Sequence, residues 1–266
     1  MNLSLPSHNS RGALLNLLLA LADDELVLGH RDSEWTGHAP ILEEDIAFSN
    51  IAQDEIGHSL VWLTLYEQLT GRTPDAMGFE RKPEEFMCCR FVEYPKGDFA
   101  YTVVRQYLFD LAEKVRLESF LDSSFEVLGE TAQKLLREES YHLLHASGLV
   151  ERLGDATEES HRRMQAAVDV AFPQSLGMFE ELEGEQELID AGVFPGNKAL
   201  LSGWLKQAVP FLRKVSLTPP VKGENESCTV LCPVDDGGRN GRHTEHLKGL
   251  IDDMQKVYRL APGPNW

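Results

Sequence analysis

Apolar residues recur at helical spacing through most of the chain, and strand-like alternation with hairpin dipeptides is nearly absent. The period predicts a first helix over about Gly12–Arg31, which "EWTGHAP" breaks through Gly37 and Pro40. A second helix is expected from about Ile41 to Leu69, opened by Glu43, Glu44 and Asp45, acids that suit the positive end of a helix, and closed by "TGRTP". The stretch 75–97 reads as irregular or short-helical. A third long helix follows from about Asp98 to Leu121, and a fourth runs from Ser123 or Ser124 to Leu153. Further helices are expected over Glu158–Phe179, Asn197–Val215 and from Thr244 onward, the last two separated by a long loop rich in Pro and Gly. This order predicts an all-α chain: one domain over residues 1–266, with a four-helix bundle core over about 12–153 and accessory helices plus the long loop over about 156–266.

Four stripes define the faces that such a bundle turns inward, because residues three, four and seven apart share one side of a helix. The first carries Leu14, Leu18, Leu21, Glu25 and Leu28, and the second Phe48, Ile51, Glu55, His58, Trp62, Leu65 and Leu69. The third carries Val103, Gln106, Asp110, Glu113, Leu117 and Phe120, and the fourth Leu128, Ala132, Leu135, Glu139, His142, Ala146, Leu149 and Leu153. Polar residues therefore sit in the middle of apolar faces. Each half of the core reads as an acid on one helix, then Glu-x-x-His on the next: Glu25 with Glu55 and His58, then Glu113 with Glu139 and His142.

That pattern is the ligand set of a carboxylate-bridged centre of two iron ions, or of two manganese ions. Two divalent cations bring about +4, which four carboxylates balance while two imidazoles complete the coordination. Asp110, one turn before Glu113 on the same face, is the alternative third-helix ligand, with Glu113 favoured. The bland reading is a core whose acids are neutralised by cations, for which Arg105, Lys114 and Arg116 are available on the third helix.

Composition narrows the partners. A net charge of −18 over 266 residues argues against nucleic acid, whose phosphates need a basic face. Only a local cluster such as Arg81-Lys82 offers a place for a phosphate-bearing ligand. The apolar stretch Ala13–Ala22 is too short to span a bilayer, has little basic charge before it, and runs straight into Asp23, Asp24 and Glu25. It reads as a buried helix of a cytoplasmic protein with no membrane association. Cys88, Cys89, Cys228 and Cys232 lack the usual zinc spacing and are expected as reduced thiols. "HTEH" at 243–246 is read as helix capping and surface contact, and His30 and His38 as ordinary hydrogen-bonding residues. Motifs of nucleotide folds and serine hydrolases do not occur.

The stretches "LVLGHRDSEWTGHAPILEEDIAFSNIAQDEIGH", "GDFAYTVVRQYLFD" and "GRHTEHLKGLIDDMQ", with a terminal "NW", resemble the PaaC-type subunit of bacterial phenylacetyl-CoA epoxidase from about Leu21 to Trp266. The resemblance implies a ferritin-like bundle within a multicomponent di-iron monooxygenase that epoxidises the ring of phenylacetyl-CoA with O2. Electrons would come from NADPH through a separate flavin and iron–sulfur reductase. The implied partners are a catalytic ferritin-like subunit, a small bridging subunit and that reductase; a second copy of the chain is a further candidate. In that family the active di-iron centre lies in the sister subunit, and the PaaC-type site is typically degenerate. This chain departs from the pattern by keeping Glu25, Glu55, His58, Glu113, Glu139 and His142. Three readings follow: an epoxidase subunit with its own two-metal site, a metal-free scaffold subunit of the same complex, and a stand-alone ferritin-like ferroxidase.

Overall fold

The computed structural model describes residues 10–223 and 228–261. The fold is all-α and of the ferritin-like class, as its periodicity and resemblance imply. The long helices are α1 (Ser10–Ser33), α2 (Leu42–Thr70), α5 (Phe99–Phe120), α6 (Glu126–Asp155), α7 (Glu158–Ser175), α9 (Asn197–Lys214) and α10 (Glu245–Leu260). Short helices α3 (Pro74–Phe79) and α4 (Arg90–Glu93) account for the irregular stretch, and α8 (Glu185–Asp190) fills a segment where the pattern is too brief to read. The expected long loop holds a two-residue antiparallel pairing of Val221 with Val230 and Lys222 with Thr229. The four stripes turn inward residue by residue: every position named in them is buried except Leu153, which is half-buried.

Caps explain several boundaries. The Asp98 carboxylate accepts from the Tyr101 N–H at the start of α5, Thr157 from Ser160 N–H at the start of α7, and Thr244 from His246 N–H at the start of α10. Gly71 closes α2 in the left-handed conformation (φ 76°), returning its N–H to the Glu67 carbonyl.

The chain divides into two compact units, Leu15–Pro95 with Gly237–Trp266, and Met1–Leu14 with Lys96–Asp236. In the first, α1 and α2 pack closely. A Cβ at Gly29 would meet Ile56 Cγ1 at 2.9 Å, the Ala52 carbonyl oxygen at 3.0 Å and Glu55 Cβ at 3.1 Å, so a glycine sets this approach. The Ser59 hydroxyl donates to the Ala22 carbonyl at 2.7 Å. Three acids of α1 lie fully buried, Asp23, Asp24 and Asp32. Asp23 pairs with Arg81 and accepts the Met87 N–H at 2.7 Å. Asp24 pairs with Arg239 at 2.6 Å and accepts the Cys89 N–H at 2.7 Å. The Arg81-Lys82 pair therefore offers no phosphate site, since Arg81 is itself 3% exposed and committed to Asp23.

In the second unit α5 is buried around most of its circumference and packs against α6, α7 and α9. Trp204 of α9 donates its ring N–H to the Leu108 carbonyl at 3.0 Å. Its ring lies against Phe172 and Phe179, with centroids 5.3 and 5.4 Å away. Among the described residues no helix is long and apolar enough to cross a membrane.

Removing one member of a buried ion pair strands the other charge, at a cost of about 3–5 kcal/mol. Arg239→Met should therefore lower the stability of the fold by about that much, read from the midpoint of urea unfolding. The double variant Asp24→Leu, Arg239→Met should recover most of the loss.

Candidate metal centre

The candidate donor residues lie on two helix pairs, α1 with α2 and α5 with α6. On α1 and α2, Glu25 (2% exposed), Glu55 (0%) and His58 (2%) bring their donor atoms within 4.8 Å of one another. Gly29 and Ser59, four residues beyond Glu25 and one beyond His58, hold the two helices at the spacing that makes this possible.

On α5 and α6, Glu139 Oε1 lies 3.5 Å from His142 Nδ1, and a donor atom of Asp110 lies within 4.8 Å of one of His142. All three are buried. Gln106 donates its amide N–H to Asp110 Oδ1 at 2.7 Å, which orients that carboxylate. Glu113, the third-helix acid favoured by periodicity, forms a buried ion pair with Arg116 one turn on. Both acids occupy the inward face, so spacing alone cannot separate them; in the structure Gln106 bonds Asp110 and Arg116 pairs with Glu113.

A third gathering of ligand types lies in the α1–α2 unit: Cys88, Glu93 and His243. Surface contact does not describe His243, whose side chain is 6% exposed. Its Nδ1 lies 2.6 Å from Glu93 Oε1 and its Nε2 lies 3.0 Å from the Phe86 carbonyl oxygen. Glu93 Oε2 accepts both the N–H and the hydroxyl of Thr244, each at 2.6 Å. With both carboxylate oxygens engaged and both ring nitrogens facing acceptors, this is a hydrogen-bonded clasp fastening the start of α10 to residues 86–93. The signal missed in the sequence is Glu93 itself, separated from His243 by 150 positions.

An open groove of about 320 Å³ between Tyr101 and Val170 carries Arg162 and Arg163, but both guanidinium groups are bonded to Glu159, at 2.8 and 2.7 Å. It presents no ready anion site.

Across residues 4–266 the chain matches the family model described as "Phenylacetic acid catabolic protein". It is 31% identical over 249 residues, 93% of this chain and 97% of the relative, to the C-type subunit of the 1,2-phenylacetyl-CoA epoxidase of Escherichia coli (strain K12).

Burial, reinforced by Glu93 and two aspartates, pushes the Cys88 thiol well above its ordinary value, and burial beside Asp24 does the same for Cys89. Iodoacetamide at pH 8 should therefore label Cys228 and Cys232 in the native protein and leave Cys88 and Cys89 untouched until urea is added. His243→Ala should open Cys88 to labelling without denaturant, as peptide mass spectrometry would show.

Proposed function

Because the chain belongs to the phenylacetic acid catabolic family, we propose that it is the C-type subunit of a cytoplasmic phenylacetyl-CoA epoxidase, a component of this monooxygenase in aerobic phenylacetate breakdown, and that it holds a carboxylate-bridged two-iron centre. The observation that carries membership is similarity along nearly the full length of both chains to the C-type subunit of an epoxidase. The donor set fits such a centre. Oxygen and imidazole donors suit iron or manganese, and the acids and histidines all lie on buried helix faces with metal-ligand spacing.

The donors proposed are Glu25, Glu55, His58, Glu139 and His142, with Asp110 as the third-helix ligand in preference to Glu113. Proximity to His142 and orientation by Gln106 support Asp110. Glu113 then serves Arg116, whose buried cation requires it. Iron held there would supply O2 chemistry, with electrons delivered by the separate reductase. The chain's own residues do the rest. Gln106 keeps the Asp110 carboxylate turned toward its site, Gly29 and Ser59 maintain the α1–α2 spacing, and Phe48, Trp62, Leu117 and Leu135 keep the surrounding faces apolar.

A second reading, a metal-free scaffold subunit, draws its support from the Glu113–Arg116 pair, since neutralisation by a cation is how a bundle dispenses with a metal.

Mass spectrometric metal analysis of the purified chain, expressed with iron supplied, separates the two. The expected result is about two iron ions per chain. Asp110→Asn should lose at least half of that iron while staying folded. Glu113→Gln should keep the iron but lose about 3 kcal/mol of stability as Arg116 is stranded. A folded, metal-free wild type would leave the scaffold reading standing.

A further inference from the structure

Charged residues make up 26% of the chain, yet no exposed position of α2 between Ile46 and Thr64 carries a charge. That face presents Leu42 (72% exposed), Ile46 (54%), Ile56 (36%), Leu60 (53%) and Val61 (36%), interspersed with exposed Asn50, Gln53 and Gly57. The stripe runs about 27 Å from Leu42 to Leu60, at 1.5 Å per residue. Scattered exposed apolar residues need no explanation, but a continuous stripe cleared of charge has the composition of the centre of a protein–protein interface.

Two details define what fits there. Gly57 sits mid-stripe with nothing within 4 Å of where its Cβ would be, so a notch lies between Gln53, Ile56, Leu60 and Val61. A crossing helix can approach closely at such a notch, its side chains seated between the ridges on either side. The charges that border the stripe, Glu43, Asp45, Asp54 and Glu67, are all acidic, and α2 contains no Lys or Arg.

We propose that the outer face of α2 is the docking surface for an amphipathic helix of the sister subunit, one with an uncharged apolar stripe flanked by Lys and Arg. This rests on the epoxidase reading above and deepens it by naming the surface. The acidic border selects against a second copy of this chain. Two copies meeting through this face would oppose acid with acid, and each carries a net charge of −18. A basic-rimmed partner meets the same border with attraction, which speeds encounter and disfavours wrong partners.

The test uses the full-length chain and the full-length sister subunit, with affinity measured by surface plasmon resonance and self-association by sedimentation velocity. Ile46→Asp with Leu60→Asp should weaken binding at least about 100-fold, while the helical circular dichroism stays that of the wild type. Gly57→Leu supplies a variant that folding failure cannot mimic. It replaces glycine with a good helix former in open space, so thermal stability should rise while partner affinity falls at least about 10-fold. Raising salt from 50 to 500 mM should weaken the wild-type complex, and Asp54→Lys should reduce that salt dependence.

Wild-type binding that both variants retain unchanged would overturn the assignment of this face and leave the epoxidase reading intact. Absence of wild-type binding would overturn both. A wild-type homodimer that the variants convert to monomer would show a second copy as the occupant and overturn the proposal.

Discussion

Two carboxylates at the middle of α1 have to be neutralised before the α1–α2 unit can exist. Asp23 and Asp24 are fully buried, and a lone ion in such a place is far too costly to tolerate. Their counterions come from elsewhere in the chain, Arg81 and Arg239, and each carboxylate also accepts a backbone N–H, from Met87 and Cys89. The segment 81–89 is thereby wrapped around two adjacent residues of one helix. That placement carries Phe86 and Glu93 to where His243 and Thr244 meet them. It also sets the rotation of α1. With two successive positions held by arginines, the next residue, Glu25, turns to α2 and comes within 4.8 Å of Glu55 and His58.

Buried Glu and His are not by themselves a metal signature in this protein. Glu93 and His243 satisfy one another with help from Thr244 and the Phe86 carbonyl, and Glu113 satisfies Arg116. The same residue types gather as Glu25, Glu55 and His58 on α1 and α2, while on α5 and α6 Asp110 and Glu139 each approach His142. At Glu93 the carboxylate is engaged by a threonine and an imidazole, at Glu113 by a guanidinium, and at Asp110 by the Gln106 amide.

Much of this was legible in the order of residues. Helical spacing located the seven long helices to within a few positions, and it put Glu55, His58, Glu139 and His142 on faces that are buried. A stripe, however, reports which side of a helix turns inward and nothing about what it meets there. Asp110 and Glu113 share a stripe, and only the positions of Gln106, Arg116 and His142 distinguish them. Arg81 beside Lys82 looks like exposed basic charge, because its partner stands 58 positions away. Arg239 is 215 positions from Asp24, inside a loop rich in glycine where no period exists to be read. One reason for that glycine is the close approach at Gly238, where a Cβ would collide with the Cys88 carbonyl.

Arg239 and His243 lie late in the chain, whereas Asp24 and Glu93 lie early. A ribosome making this protein releases α1 and α2 well before the cation that Asp24 needs has been synthesised. During that interval Asp24 lacks the cation it pairs with in the folded chain, and burying it without that cation is costly. A nascent chain stopped before that point keeps a buried-acid helix it cannot close. Synthesis of the intervening helices thus precedes the pairing that closes this unit around Asp24.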